Sequence, residues 1–416
     1  KIISFLYPLL PSLIPLSAQT IVTNLNDEDD GMTALASPSD ISLREAINHS
    51  APNTTITFDP TLDGGAITLT EGELVIEKNL TIDASGLPNG LTIDGGGNGD
   101  FINDNATNNE TRCFFIDDRL PFPNTFQTVT LNNLTIQNGS HEGANAGANI
   151  HNQENLNLIK CQILNGRAFG GNEDADGGGI YHRSGTLSLT DCTISGNQIQ
   201  GNRAAGGGIY QAFGILTLTR CTVSNIKFKA VSPEASSGGG GIYSHTLFAD
   251  EFTTLTSCTI TGNAANNANG GGVYNWLGST NIQHCTITNN FSATNKGSGV
   301  SSSGNGLTQT QISDTIIGDP QKGSDIGLIS GIINSFAFSG SNLIGIADLE
   351  IDNAPMPNTT PLLLAPLRHY GGPTLTMIPL PGSPALDIAT DSIRVSDQRG
   401  NPIVTTADIG AAEYQG

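Results

Sequence analysis

The chain has 416 residues, of which 17 are Lys or Arg and 38 are Asp or Glu, for a formal net charge of −21. A chain this acidic, with no basic stripe, is excluded from binding nucleic acid or anionic lipid by charge, and it repels polyanionic glycans unless a cation bridges them. Its 51 glycines and 6% aromatic content suit tight turns around a narrow core.

At the start, Lys1 leads an apolar run, Ile2–Leu16, closed by Ser17-Ala18-Gln19. This is the pattern of a secretory signal over residues 1–18, cut after Ala18. Pro8, Pro11 and Pro15 argue against a membrane-spanning helix, and no other run reaches spanning length. Export is therefore expected. Residues 19–55 then form an N-terminal cap. Within it Asp40 precedes ISLREAINHS, and Leu43, Ala46 and Ile47 share one helical face. A short helix with Asp40 as N-cap is expected to cover the open end of the element that follows. Asn26–Gly31 is rich in carboxylates, but Ser37 stands where an EF-hand loop needs its twelfth-position Glu, so that match fails.

The next 291 or so residues, about 56 to 346, carry the strongest pattern. GGGIY occurs at Gly177–Tyr181, Gly206–Tyr210 and Gly239–Tyr243, GGGVY at Gly270–Tyr274, and GSGVS at Gly297–Ser301. The steps are 29, 33, 31 and 27 residues, a period that marks a solenoid. Inside one copy, Leu216–Thr219 alternates apolar and polar, Arg220 breaks the alternation, Cys221–Val223 resumes it, and Ser224-Asn225 closes the coil. Weaker copies precede this block at Ile67–Ala84 and Thr128–Gly139, and others follow at Gln311–Asp319 and Ile332–Ile346. Three short strands per coil with Asn/Gly corners specify an all-β fold, a single-stranded parallel β-helix. Its expected hand is right-handed, because parallel crossovers nearly always are. Residues 347–416 lose the repeat and are Pro-rich. They are expected to form a C-terminal cap knitted by Asp387, Asp397, Arg399, Asp408 and Glu413.

Side-chain direction follows from the period of two. Ile150, Ile180, Ile209, Ile242, Val273 and Val300 form an inward column. The next positions, led by Tyr181, Tyr210, Tyr243 and Tyr274, point outward, and Asn152, His182, Gln211, Ser244 and Asn275 fall at a corner. Cys161, Cys192, Cys221, Cys258 and Cys285 share one place in the repeat. Stacked equivalents lie about 4.8 Å apart, whereas a disulfide brings Cβ atoms to about 3.8 Å, so these are buried thiols filling space.

The two ends carry a family signal. ISLREAINHSAPNTTITFDP (Ile41–Pro60) resembles the CSLREA domain, with Ile41 at the position of the name-giving Cys. LAPLRHYGGPTLTMIPLPGSPALD (Leu364–Asp387), with SDQRG (Ser396–Gly400) and ADIGAAE (Ala407–Glu413), is similar to the choice-of-anchor Q domain. The GGGIY repeats also resemble those of polymorphic outer-membrane proteins. In many exported bacterial proteins the two terminal motifs flank a right-handed parallel β-helix, so the resemblance implies an extracellular or cell-surface protein. It carries no catalytic residues across.

Chemistry is sought where the loops entering each GGGI strand gather on one edge: Gly166–Asp176, Gln198–Ala205, Ile226–Ser237, Ala264–Asn269 and Phe291–Lys296. Beside them, Tyr181, Tyr210, Tyr243 and Tyr274, with Trp276, form either a strip that stacks on sugar rings or an aromatic ladder covered by those loops. No metal or cofactor is expected: Glu173, Asp174 and Asp176 read as a solvated loop, the alternative being a set of Ca²⁺ ligands. His182, Arg183 and His245 border the strip as candidate acid–base groups for a lyase or hydrolase, the alternative being turn caps. The expectation is a monomeric interaction protein, adhesin-like and binding a polysaccharide or cell-surface glycan. The rivals are a polysaccharide lyase or glycoside hydrolase, and a spacer without ligand.

Overall fold

The computed structural model describes residues 19–414, apart from 32–39, 98–110, 122–124, 144–146, 233–235, 304–307, 319–322, 331–335, 391–393 and 405. The signal-like residues 1–18 lie outside this range. Three long parallel sheets run along the molecule, of eleven, ten and nine strands, and every pairing within them is parallel between successive coils. The fold is the expected parallel β-helix.

One coil shows how the sequence sets the path. Ile209–Gln211 belongs to the third sheet, Ile215–Thr219 to the first and Thr222–Ser224 to the second. The bend between the first and second sheets is made by one residue at positive φ. Lys160, Asp191, Arg220, Ser257 and His284 hold it at 50–58°. These side chains are not glycine, so each such corner costs roughly 1 kcal/mol locally and persists because the flanking strands are locked in register. The following bend falls to Asn165, Gly196, Asn225, Gly262 and Asn289, residue types that tolerate this region. Gly206 opens the next coil at φ 66°, and a Cβ on Gly207 would sit 2.6 Å from the Gly240 carbonyl oxygen. The GGG run is thus a contact between coil backbones.

Inward columns pair in register. Ile180, Ile209, Ile242 and Val273 align in the third sheet, and Leu189, Leu218, Leu255 and Ile282 in the first. All are buried in one continuous core. The five column cysteines are free and buried, as expected. They also form a ladder: the Cys161 N–H donates to the Cys192 sulfur at 3.4 Å, and the Cys221 N–H to the Cys258 sulfur at 3.4 Å.

Three features depart from expectation. Six coils carry a fourth strand, among them Arg167–Phe169, Gln198–Gly201 and Lys227–Ala230, which pair into an outer sheet. The loops expected on one edge are therefore partly regular. They enclose a thin second core of Ala168, Ile199, Phe228 and Ala265 against Ala175 and Ala204. Secondly, the helix Leu43–His49 is capped by Ser42, not Asp40. Ser42 and Glu45 make a reciprocal capping box, and Asp40 instead accepts from Asn24. Leu43, Ala46 and Ile47 do enter the main core. Thirdly, the described residues between 361 and 414 run back along the outer face of the second sheet as a strap. Gln398 is its anchor. Its amide nitrogen lies 3.1 Å from the Cys221 carbonyl and from Thr222 Oγ1, and its oxygen accepts from Thr259 and Thr376. Arg399 pairs with buried Asp397 at 2.6 Å, and Arg394 with Glu413. Ile351, in the preceding segment, joins the main core at the last coil.

Candidate functional site

The tyrosine column lies outside the barrel, as alternation requires, but it is not a surface. Tyr181, Tyr210, Tyr243 and Tyr274 are 5%, 7%, 2% and 0% exposed. Their rings stack on one another: centroids are 5.3 Å apart for Tyr181–Tyr210 and 5.1 Å for Tyr210–Tyr243, with Tyr274 edge-on at 5.6 Å. The ladder continues through His151 to Phe115. The returning arms of the loops close over it. A Cβ at Gly238 would stand 2.3 Å from Tyr274 Cδ1, so only glycine fits that approach. No ring face is left for a sugar, so these four residues are not ligand contacts; the column is the other reading, an aromatic ladder covered by the loops. Trp276 is half-buried and packs against Tyr274 at 6.0 Å.

The acidic loop is also occupied. Arg203 forks between Asp174 and Asp176, with both N–O distances 3.0 Å. Burial pushes the Asp176 carboxyl up to about 6 against the pull of Arg203. Glu173 is exposed and contributes backbone bonds. Two of the three candidate carboxylates are thus engaged by the Arg203 guanidinium, which is neither of the two readings of this loop, solvated or Ca²⁺-binding.

The candidate acid–base groups do not converge. His182 is fully buried in the polar corner column, with Nδ1 2.9 Å from Asn152 Nδ2, and burial lowers its pKa to about 4. A neutral ring sealed from solvent has no substrate to act on. His245 is half-buried, 5.7 Å from the Phe213 ring, and its pKa is lowered by burial and then by Arg203. Arg183 is exposed, and its backbone N–H donates to the Asn152 carbonyl. Within the corner column Ser244 donates to Gln211 of the neighbouring coil, as expected, and Thr253 of the first sheet joins the pair.

Two features escaped the sequence. Asp117, Asp118 and Glu154 bring carboxylate oxygens within 4.8 Å of one another. The adjacent pair is visible in sequence, but Glu154 arrives from the next coil. Backbone N–H groups already hold the cluster: Arg119 to Asp117, Leu120 to Asp118, and Asp118 and Gln127 to Glu154. A cleft of about 790 Å³ lies between the strap and the last coils, among Thr288, Asn358, Leu362, Leu364 and Met377. Among the described residues no ionisable side chain lines it.

The surface that stands out is the outer face of the first sheet. Ser188, Thr217, Thr254, Asn281 and Gln311 align in one column, and Thr190, Thr219, Thr256 and Gln283 in the next. These side chains are half or fully exposed. Among the described outward positions of this sheet, Asp83 alone is charged, and it accepts from Asn132. Eleven strands at about 4.8 Å make a face roughly 50 Å long.

No protein-family model matches the chain, and no curated protein matches it. Among solved structures, pectate lyase Pel9A is similar, with a TM-score of 0.51 and 12% identity across 96% of this chain and 98% of that one. At that identity the likeness shows a shared parallel β-helix fold. No helix among the described residues is long and apolar enough to cross a membrane.

Proposed function

We propose that this chain is an exported extracellular β-helix that holds a neutral polysaccharide against the outer face of its first sheet. The observation that carries this is the charge pattern of that face: one carboxylate along eleven strands, in a chain of net charge −21. Hydroxyl and amide side chains both donate and accept, as sugar hydroxyls do. A face with a single charge, near one end, largely avoids the desolvation cost of burying charges against a neutral sugar. Repetition from coil to coil multiplies weak contacts into retention. An anionic polymer would meet repulsion from the rest of the surface. The apolar run Ile2–Leu16 and the likeness of Ile41–Pro60 and Leu364–Asp387 to motifs of exported β-helix proteins support export.

The test is retention of the full chain on insoluble neutral and acidic polysaccharides. Thr217→Lys with Thr254→Lys is expected to weaken retention on the neutral ones at least tenfold without changing the melting temperature. Absence of retention on every neutral polysaccharide, or equal retention by the double variant, sinks the proposal.

A polysaccharide lyase is the second reading. The fold of pectate lyase Pel9A and the Asp117–Asp118–Glu154 cluster, with exposed Arg119 beside it, favour it. Its mark is the Ca²⁺-dependent appearance of unsaturated chain ends that disappears in Asp118→Asn.

A further inference from the structure

The corner joining the third sheet to the first changes character over three successive coils. In the first it is the short turn at Phe213-Gly214. In the next the chain makes a longer loop between Ile242–His245 and Phe252–Thr256. In the third it turns at Gly278, just after Trp276 and Leu277. Each of these corners carries large apolar side chains facing outward. Phe248 is 64% exposed, Leu247 48% and Phe252 39%, while Phe213 and Trp276 are half-buried over the tyrosine ladder.

The longer loop is built to stay open. Glu251 places one carboxylate oxygen on the Gly214 N–H at 2.8 Å and the other on the N–H groups of Leu247 and Phe248 at 3.0 and 3.2 Å. One carboxylate therefore ties the Phe248 backbone to the turn that carries Phe213. Thr246 links the same loop to the next coil through the Leu277 carbonyl and the Ser279 N–H. Leaving Phe248 in water forfeits its burial energy, and here three hydrogen bonds to Glu251 hold the backbone that presents it. An exposed apolar patch held this way marks a contact surface.

We propose that Phe213, Phe248 and Trp276 form an aromatic subsite that stacks on the sugar rings of a neutral polysaccharide along one border of the uncharged first-sheet face. This rests on the function proposed above and adds a specificity-determining element to it. The chemistry points to a pyranose chain because that ligand has both an apolar C–H face and a rim of hydroxyls. The aromatic corner meets the first and the Thr/Asn columns beside it meet the second. Phe252 is the link, since it is itself an outward position of the first sheet, in register with Ile215 and Ser279. The ionisable groups nearest Phe248 in sequence are Asp250, His245 and Glu251, and Glu251 is engaged by the backbone.

Trp276 is the chain's one tryptophan, so its fluorescence reports this corner directly. The full chain is titrated with cello-, xylo-, manno- and laminari-hexaose and, for contrast, with oligogalacturonate. A saturable change in Trp276 emission with a neutral hexaose is expected, and Phe248→Ala should weaken it about tenfold. Phe248 is exposed, so this variant folds. Retention on an insoluble neutral polysaccharide without any change in Trp276 emission overturns the subsite and leaves the first-sheet face standing. So does an emission change that Phe248→Ala leaves untouched, or one seen with oligogalacturonate alone. Neither retention nor emission change overturns both.

Discussion

Two faces of the same β-helix carry the same residue and meet opposite fates. On the first sheet, Thr217, Thr219, Thr254 and Thr256 stand half-exposed in columns. On the second, Thr222, Thr259 and Thr286 stand in an equally regular column and are at most 1% exposed, because the strap lies over them. In the earlier coils of that second sheet, Thr92, Thr135 and Thr193 occupy the same column and are not covered. An outward threonine is therefore a neutral feature of the repeat. A distant segment decides whether it is a surface or an interface.

Swapping charge into the two faces should separate them most strongly. Thr259→Lys places an ammonium under Gln398 and Thr376 with no carboxylate to meet it, and should cost about 3–5 kcal/mol or detach the strap. Thr254→Lys, five residues earlier on the open face, should stay within about 0.5 kcal/mol. Thermal melts of the two variants check this. Equal destabilisation would mean that the first face is covered too.

Gln398 offers a smaller but more local break. Its amide serves Thr222, Thr374 and the Cys221 carbonyl, and its oxygen serves Thr259 and Thr376. Gln398→Ala strands several buried hydroxyls at once, and a loss of about 2–4 kcal/mol is expected. The loss should appear as protease cleavage within 361–414 while the coils stay folded, since the main core does not pass through the strap. Simultaneous melting of coils and strap would contradict this.

Two titrations of opposite sign sit where the strap meets the coils, both beside Arg394. Burial, and then Arg394, lowers the His284 pKa to about 4, with Asp314 opposing. The unfolded chain takes up that proton first, so the His284 contribution is complete above about 6.5 and is lost as pH falls to about 4. Burial raises the Glu413 pKa to about 7 against the pull of Arg394. Here the folded state holds the proton longer, so stability is highest below about 4.5 and declines as pH rises to about 7. Each effect is at most about 3 kcal/mol, and over this window they offset. Glu413→Gln should leave a strap that loosens in acid, and His284→Gln one that loosens towards neutrality, read from melting temperature against pH. Parallel slopes in the two variants would refute the pairing.

Much of this fold was legible because a solenoid writes the same instruction many times. Ile209, Leu218, Cys221 and Val223 each repeat in register, and alternation alone sends them inward. Two kinds of information were not in the repeat. The outer strands are short and vary from KFKA to AAN, and their inward column, Ala168, Ile199, Phe228 and Ala265, mixes small and large residues, so it carried no visible period. Coverage of the threonines came from far away in sequence, from Gln398, whereas the tyrosines are covered by the loops just before them, at Ala205 and Gly238. Alternation gave Tyr210 its direction correctly and was silent about what lay above it. The uncharged face was in plain view as TLT and SLT segments. Its meaning emerged only against the second sheet, where the same letters are buried.

The corner between the two faces supplies the smallest and sharpest test. Each column cysteine places its sulfur between the carbonyl two residues earlier and one on the preceding coil; for Cys258 these are Thr256 at 3.3 Å and Leu218 at 3.5 Å. The ladder ends at Thr315, which stands where the next cysteine would. The Cys285 N–H donates to Thr315 Oγ1 at 3.2 Å, and that hydroxyl donates to the Ser313 carbonyl at 2.8 Å. A hydroxyl on a β-branched carbon thus performs the task of the thiol at this corner. Cys258→Thr should then cost only about 1 kcal/mol. Cys258→Ala should cost about 2, because it leaves a small void and strands the Cys221 N–H. Urea unfolding of the two variants measures the difference. If alanine were the milder change, the column would be held by volume alone, and the hydrogen bonds along it would contribute nothing to the turn that sets the two faces apart.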